Sequence, residues 1–328
     1  MSPTDTAPAI EHRIGETGSL TVRVASWDVE VTAVAGDAVR VRNANGAPLP
    51  DSVEVERTAD GLSIRQPNRF GLDVSGRKTK ATRLAIEVPE RAAVAIQTAS
   101  GDIQAANLHG PVQVRTASGD VLLVDVAGEI QTETVSGDVA IRLDAPTTLA
   151  IKTVSGDTIV EGGRVDRFAY GSTSGDLKLT SELGDGPHAI QTVSGDAIVT
   201  TRNGIRIAAQ TLTGDLKSDL PHSSEGRPGQ RSLIVGEGST VVQFRSVSGD
   251  LRVVGPSGNG PVESVPRPPA PPAPPAAPEP PAPPMRDEPV DESTETSRLE
   301  ILRALERGEI DIDEATRQLA ALDGPADV

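Results

Sequence analysis

Apolar and polar residues alternate along most of the first 254 residues, with apolar residues two positions apart. The runs Leu20-Thr21-Val22-Arg23-Val24 and Val39-Arg40-Val41-Arg42 show this pattern clearly. Pairs typical of tight turns, such as Asn45-Gly46 and Asp60-Gly61, separate the runs. A period of two predicts strands with one buried and one solvated face, so the pattern predicts a β-rich chain.

The tripeptide Ser-Gly-Asp recurs within this pattern at an almost constant interval. Its copies begin at Ser100, Ser118, Ser136, Ser155, Ser174, Ser194 and Ser248, and a variant begins at Thr213. Successive copies are 18, 18, 19, 19, 20, 19 and 35 residues apart. Such a short fixed period predicts repeats that each form one supersecondary unit and bury their apolar side against the neighbouring repeats.

Positions around the tripeptide are alike from copy to copy. A hydroxyl residue stands two positions before the Ser in every copy: Thr98, Thr116, Thr134, Thr153, Ser172, Thr192, Thr211 and Ser246. The position before that is almost always polar: Gln97, Arg115, Glu133, Lys152, Gly171, Gln191, Gln210 and Arg245. One column departs from the alternation, because the residue directly before the Ser is mostly apolar: Ala99, Ala117, Val135, Val154, Thr173, Val193, Leu212 and Val247. Either the strand bends there, or this column faces a second layer.

We therefore predict a parallel β-solenoid, or β-helix, of about 19-residue repeats, each with two strands joined at the tripeptide. Glycine adopts positive φ without steric cost, and Asp and Ser side chains bond nearby backbone N–H groups. The predicted turn residues are Gly101, Asp102, Gly119, Asp120, Gly137, Asp138, Gly156, Asp157, Gly175, Asp176, Gly195, Asp196, Gly214, Asp215, Gly249 and Asp250. An antiparallel meander or sandwich is the alternative, although its hairpins would not require one residue type at every same-side turn.

The sequence predicts five regions. They are a disordered N-terminus (1–13), divergent β rungs or an N-terminal cap (14–93), the repeat solenoid (94–254), a Pro-rich acidic linker (255–296) and a short α-helical hairpin (297–323). In the second region, Ala35-Gly36-Asp37 resembles a degenerate copy of the tripeptide. In the last 35-residue step, we expect a loop at 222–229, with one degenerate rung and an insertion.

The end of the chain has the apolar spacing of two short helices. Ser297 and Asp313 are residue types that cap helix N-termini, and Gly308 is typical of a helix end. The residues predicted to mediate association are Leu299, Leu302, Leu305, Ile312 and Leu319. Because two helices of this size bury too little apolar surface to be stable alone, we expect self-association or a protein partner.

Composition narrows the range of partners. The formal net charge is −16, which disfavours nucleic acid and anionic membrane surfaces. The chain has no cysteine, so it forms no disulfide and no thiolate metal site. We see neither a secretory leader in the first 13 residues nor an apolar run of about 18 residues, so we expect a cytoplasmic protein without direct membrane insertion.

The repeated tripeptide between about Ile14 and Val254 resembles the bacterial DUF4097 family, an adhesin-like group of β-strand repeat proteins. This resemblance implies an all-β repetitive fold and no catalytic residues, and some members are linked to the cell envelope and its stress responses. The end piece, with Leu299, Leu302, Gly308, Ile312 and Leu319, looks like the short helical hairpins of SHOCT-type tails. Those tails imply association.

The Asp column, the polar column and the four histidines each have a possible chemical role and a structural one. A column of stacked Asp carboxylates could bind Ca²⁺, but one Asp per repeat is fewer than calcium-binding β-rolls contain, so we expect a turn-holding role and no cofactor. The polar column mixes charges without a convergent acid cluster, which favours a solvated face over a carbohydrate-cleaving site. His12, His109, His188 and His222 lack metal-ligand spacing.

We predict a non-enzymatic scaffold or interaction module. The alternatives are a carbohydrate-binding or carbohydrate-cleaving β-helix and an envelope-stress or adhesin-like component.

Overall fold

The computed structural model describes residues 10–50, 53–66, 82–202, 204–227 and 229–256, which form 22 β-strands. The strands are β1 (Ile10–Arg13), β2 (Ser19–Arg23), β3 (Asp28–Val34), β4 (Ala38–Asn43), β5 (Glu54–Arg57), β6 (Gly61–Arg65), β7 (Arg83–Pro89), β8 (Ala93–Gln97), β9 (Ile103–Ala106), β10 (Val112–Ser118), β11 (Val121–Ser136), β12 (Val139–Lys152), β13 (Thr158–Ser174), β14 (Leu177–Leu183), β15 (His188–Ser194), β16 (Ala197–Thr200), β17 (Ile205–Thr211), β18 (Leu216–Ser218), β19 (His222–Arg227), β20 (Gln230–Val235), β21 (Thr240–Ser246) and β22 (Leu251–Val254). Within these ranges, no helix is long and apolar enough to cross a membrane.

Each repeat forms one rung, with a strand before the Ser-Gly-Asp turn and a strand after it. The strands before the turn pair in one ladder, here the first ladder, in the order β5-β6-β2-β8-β10-β11-β12-β13-β15-β21-β17-β20-β19. The strands after the turn form the second ladder, in the order β1-β4-β7-β3-β9-β11-β12-β13-β14-β16-β22-β18. The long strands β11, β12 and β13 belong to both ladders, with register shifts where they change ladder.

Pairing is parallel throughout the repeats and antiparallel only in strands near the two ends of the ladders. Inward residues of both ladders, such as Leu123, Ile141 and Phe168, are buried in one continuous apolar core. The predictions of an all-β fold and of a mostly parallel sheet are therefore confirmed, and this arrangement is consistent with a β-solenoid. The predicted helical hairpin and all of the predicted linker after Pro256 lie outside the described residues.

The spatial order of the rungs differs from their order in the chain at both ends. The β21–β22 rung lies between the β15–β16 rung and the β17–β18 rung, although it follows both in the sequence. The β2–β3 rung likewise lies between β6–β7 and β8–β9. The 35-residue step holds β18 and the hairpin β19–β20, so 222–227 form a strand where we expected a loop.

The start of the chain requires two corrections. Ser26-Trp27-Asp28 forms the first turn of the stack, because Arg23 pairs with Gln97 and the backbone N–H of Asp102 donates to Asp28. Ala35-Gly36-Asp37 lies outside the stack, in the turn between β3 and the antiparallel strand β4. In addition, Ile10–Arg13 form β1, where the sequence suggested a disordered N-terminus. Trp27 is buried in the position that glycine occupies in later turns.

Candidate interaction surface

The turn aspartates stand one above another along a single edge of the rungs. In each step, a side-chain Oδ1 accepts a hydrogen bond from the backbone N–H of the aspartate in the next rung. The donor–acceptor pairs are Asp102–Asp28 (3.3 Å), Asp120–Asp102 (3.1 Å), Asp138–Asp120 (2.9 Å), Asp157–Asp138 (2.9 Å), Asp176–Asp157 (2.9 Å), Asp196–Asp176 (2.8 Å), Asp250–Asp196 (2.8 Å) and Asp215–Asp250 (2.7 Å). The carboxylates thus hold successive turns together.

The turn glycines are stacked too closely for any side chain. A Cβ on Gly156 would overlap the backbone carbonyl oxygen of Gly137, and a Cβ on Gly175 would overlap that of Gly156. The four inner glycines also have positive φ, between 120° and 145°. The last two turns are stacked in the swapped order, since Gly249 lies on Gly195 and Gly214 on Gly249. Close approach and backbone conformation therefore both require glycine here.

The hydroxyl column lies just inside these turns. At the two ends of the stack, the hydroxyl caps the turn: the N–H of Gly101 donates to Thr98 Oγ1 at 3.1 Å, and that of Gly214 to Thr211 Oγ1 at 2.9 Å. In between, the buried hydroxyls of Thr116, Thr134 and Thr192 make no hydrogen bond to the described residues. Thr153 Oγ1, in the middle of the stack, donates to the Ser155 carbonyl oxygen at 3.1 Å, so the hydroxyl column bonds to the turns at the two ends and at Thr153.

Two acids lie beside two basic residues at the last turn of the stack. Lys217 Nζ is 3.3 Å from Asp215 Oδ2 and 3.5 Å from Asp250 Oδ2, and Arg231 Nη1 is 3.7 Å from Asp215 Oδ1. The hydrogen bond with Asp215, followed by the charges of Asp215 and Asp250, raises the pKa of Lys217. All four side chains are largely exposed, so this cluster compensates the end of the acidic column in water.

The mostly apolar side chains directly before each Ser point outward into solvent. The strict alternation therefore continues up to the turn. Val135, Val154, Val193 and Val247 are 53%, 47%, 48% and 48% exposed, and Leu212 is 79% exposed. They lie in adjacent rungs because Ser136, Ser155, Ser174, Ser194 and Ser248 pair successively. Together they form an exposed stripe beside the Asp column, which is apolar except at Thr173, the exposed residue between Val154 and Val193. Isolated exposed apolar residues are ordinary, whereas a larger row of them is typical of surfaces that bind protein, membrane or ligand.

This stripe is one edge of a surface, here called the ladder face, that is formed by the outward residues of the first ladder. Its second column is the polar one, in which Glu133 is 3.0 Å from Arg115 and 3.9 Å from Lys152. Its third column is small in the middle rungs, with Ala150, Ala169 and Ala189 aligned. The third column is therefore small at the centre of the ladder face, while the polar column carries Arg115, Glu133 and Lys152 on one side of its middle rung and Arg245 on the other.

Gly171 lies at the centre of the ladder face, between Lys152 and Gln191 in the polar column. No atom lies within 4 Å of a Cβ built on Gly171, and its φ is not positive. Neither packing nor backbone conformation within the rung requires glycine there. Glycine inside a strand weakens the strand and often marks a place where another backbone approaches closely.

The remaining predicted residues do not converge. His188 is buried, with Nε2 2.9 Å from the Gly184 carbonyl oxygen, while His109 Nε2 is 2.9 Å from Asp144 Oδ2 on the surface. Within the described ranges, no three His, Asp or Glu side chains are grouped so as to hold a metal ion. The predicted association residues Leu299, Leu302, Leu305, Ile312 and Leu319 lie outside the described residues.

A family model described as Toastrack DUF4097 matches residues 18–254, which span the rungs from β2 to β22. No curated protein matches the sequence.

Three solved structures match about three quarters of this chain. A candidate lipid-binding protein from Parabacteroides distasonis is 16% identical, with a TM-score of 0.46, and the match covers 76% of this chain and 96% of that one. A candidate adhesin from Bacteroides fragilis is 11% identical, with a TM-score of 0.38 and coverage of 75% and 95%. A candidate cell adhesion protein from Clostridium sporogenes is 11% identical, with a TM-score of 0.28 and coverage of 75% and 98%.

Proposed function

The chain belongs to the Toastrack DUF4097 family, and from this premise we propose that it is a non-enzymatic interaction module whose ladder face binds protein. The observation that carries this proposal is the exposed apolar stripe, with Val135, Val154, Val193 and Val247 each about half exposed. Transfer of such side chains out of water favours association by about 25 cal/mol for each Å² covered. The stacked turns give the stripe a rigid base.

Rigidity distinguishes this surface from an exposed loop. Each turn is fixed by an Asp Oδ1 that accepts from the next rung and by parallel pairing on both sides of the turn. A rigid surface loses little conformational entropy when a partner binds, so more of the contact energy appears as affinity. This supports a scaffold role for the repeats.

The chemistry of the described surface supports binding over cleavage. A glycosidase needs two carboxyl groups placed across a scissile bond, one of them with a raised pKa. Each aspartate of the stack before Asp215 accepts from the next turn, and Asp215 and Asp250 are paired with Lys217. Association through Leu299, Leu302, Leu305, Ile312 and Leu319 is a second part of the proposal, and it rests on their sequence pattern alone.

Affinity capture with the full chain tests the proposal. Wild type and a Val154→Lys/Val193→Lys variant serve as immobilised baits in a lysate of the native organism, and the captured proteins are identified and quantified. The control bait is Ile198→Lys, which alters an exposed apolar residue on the outer side of the second ladder. We expect partners that bind wild type and the control but are depleted at least about tenfold on the stripe variant.

Equal capture by all three baits would show that the ladder face is not the binding surface. Circular dichroism and thermal unfolding check that each bait is folded. We expect the stripe variant to fold like wild type, because both valine positions are exposed and leave room for lysine. Release of sugars from a polysaccharide panel by the wild-type chain would contradict the non-enzymatic part of the proposal.

A further inference from the structure

We infer that the ladder face binds the same face of a second copy of this chain, with a twofold axis that runs along β13 over Gly171. This inference rests on the proposed function, because it names the partner of the proposed surface. Rotation about such an axis leaves each position along the strand unchanged and reverses the order of the rungs. Each outward residue would therefore face its own column in the partner, at the rung equally far on the other side of Gly171.

The order of the rungs in space sets which residues meet. Along the polar column, the order is Arg115, Glu133, Lys152, Gly171, Gln191, Arg245 and Gln210, because β21 lies between β15 and β17. Glu133 lies two rungs before Gly171, and Arg245 lies two rungs after it. The axis thus places Glu133 of each copy opposite Arg245 of the other copy.

Charge complementarity is the strongest argument for this axis. Glu133 and Arg245 would form two equivalent ion pairs, one on each side of Gly171. Arg245 is exposed and makes no ion pair with any residue that the structure describes, so it is available to a partner. Lys152 would face Gln191, so no like charges meet in the five central rungs. An isologous interface must be self-complementary in this way.

The apolar stripe is self-complementary under the same rotation. Val154 would face Val193 of the other copy, Val135 would face Val247, and Thr173 would lie next to its own equivalent. At the margin, the small Ala117 would face Leu212, the most exposed apolar residue of the stripe. Each apolar side chain therefore meets an apolar partner, of the same type in the two inner pairs and of complementary size in the Ala117–Leu212 pair.

Gly171 explains how the two sheets could approach. Side chains keep packed sheets about 10 Å apart, but Gly171 has none and faces its own equivalent at the axis. Ala150, Ala169 and Ala189 lie beside it in the third column, while Lys152 and Gln191 flank it in the polar column. A close central contact of two backbones is a role for a strand glycine that its own rung does not require.

The area is sufficient for a reversible dimer. Seven rungs about 4.8 Å apart span about 29 Å, and strands of seven residues span about 20 Å. The face of each partner is then about 600 Å², or about 1,200 Å² in total, which is at the lower limit for stable interfaces. We therefore expect a dimer that dissociates in the micromolar range.

The test uses charge reversals in the full chain, followed by sedimentation velocity between about 1 and 100 µM. Glu133→Arg alone would place two arginines opposite each other, and Arg245→Glu alone would place two glutamates opposite each other. We expect each variant to dimerise at least about tenfold more weakly than wild type. An equimolar mixture of the two variants restores both ion pairs in a heterodimer, so we expect affinity within about threefold of wild type.

Lys178→Glu, on the outer side of the second ladder, is the control reversal and should leave the dimer unchanged. A wild-type chain that stays monomeric overturns the inference, as does a dimer that neither reversal weakens. Failure of the mixture to recover also overturns it, because the twofold pairing requires recovery. If capture of other proteins remains sensitive to Val154→Lys/Val193→Lys while the chain is monomeric, the inference fails and the proposed function stands.

Discussion

The backbone N–H of Asp138 donates a hydrogen bond to Oδ1 of Asp120, 18 residues earlier in the chain, at 2.9 Å. The same bond recurs from rung to rung, so each side chain in the column before Asp215 has a partner in the following turn. The repeated aspartate is therefore explained by turn-to-turn bonding.

Removal of one carboxylate should destabilise the stack at a single step. Asp157→Ala deprives the backbone N–H of Asp176 of its acceptor, now 2.9 Å away, so we expect a loss of about 1 kcal/mol in the free energy of unfolding. Asp157→Asn keeps an oxygen acceptor and should lose less. Urea titration of both variants beside Glu182→Ala, an exposed acid of β14, is the measurement. Equal stability of the Ala and Asn variants would argue against the bond.

The two kinds of glycine should respond in opposite directions to the same substitution. Gly156→Ala places a Cβ against the carbonyl oxygen of Gly137 at a φ of 120°, so we expect a loss of about 3 kcal/mol. Gly171→Ala meets no atom within 4 Å and should leave stability unchanged or raise it by about 0.5 kcal/mol. Thermal unfolding distinguishes the two cases, and similar losses in both variants would contradict this assignment.

His188 should make the stack less stable in acid. Burial lowers the pKa of its imidazole, although the hydrogen bond to Gly184 and the charges of Asp166 and Asp185 oppose this effect. Because protonation is harder in the folded state, protons favour the unfolded chain below the ordinary histidine pKa of about 6.5. Its stabilising neutral form is therefore present above that pH and lost as the pH falls.

The corresponding variant is His188→Leu, since Leu149 fills the same inward position two rungs earlier. We expect its urea midpoint to change less than that of wild type between pH 7.5 and pH 5. These two values lie on either side of the ordinary histidine pKa of about 6.5. His222→Leu, at an exposed histidine, is the control. Parallel pH profiles for wild type and His188→Leu would show that another group causes any acid sensitivity.

Calcium should not stabilise the acidic column. One oxygen of each inner carboxylate already accepts from a backbone N–H, whereas Ca²⁺ needs six to eight oxygen ligands gathered around one point. We expect the same melting temperature in about 5 mM CaCl₂ and in EDTA, because a ligand specific for the native state would raise it. A rise that Asp157→Asn and Asp176→Asn reduce would reveal a site.

The recurrence of the tripeptide predicted stacked turns, and the structure places its Gly and Asp residues at turns that contact one another from rung to rung. Asp28 was missed since Trp27 replaces the glycine there, and only the Ser-x-Asp spacing of Ser26 and Asp28 remains as a signal. The interpretation of Ala35-Gly36-Asp37 as a degenerate copy of the tripeptide was wrong, because a Gly-Asp pair also suits the ordinary turn that connects β3 and β4.

The order of the last rungs could not be read from local pattern. Leu216 and Ala197 each pair with Leu251, and a strand with alternating residues fits either neighbour equally well. The direction of the Val154 side chain was also undecided, because the alternation predicted an outward side chain and its apolar character an inward one. The turn decides this conflict, because Gly156 takes the chain around the edge two residues later.

The insertion of the β21–β22 rung has a consequence for synthesis of the chain. A ribosome releases Gly214 before Gly249, yet Gly249 lies between Gly195 and Gly214 in the finished stack. The strands around Gly214 must therefore leave room, or detach from Gly195, until the last strands have emerged. The β21–β22 rung is therefore inserted late in synthesis, between strands that have already emerged. Cotranslational folding of this end is not a simple addition of rungs in chain order.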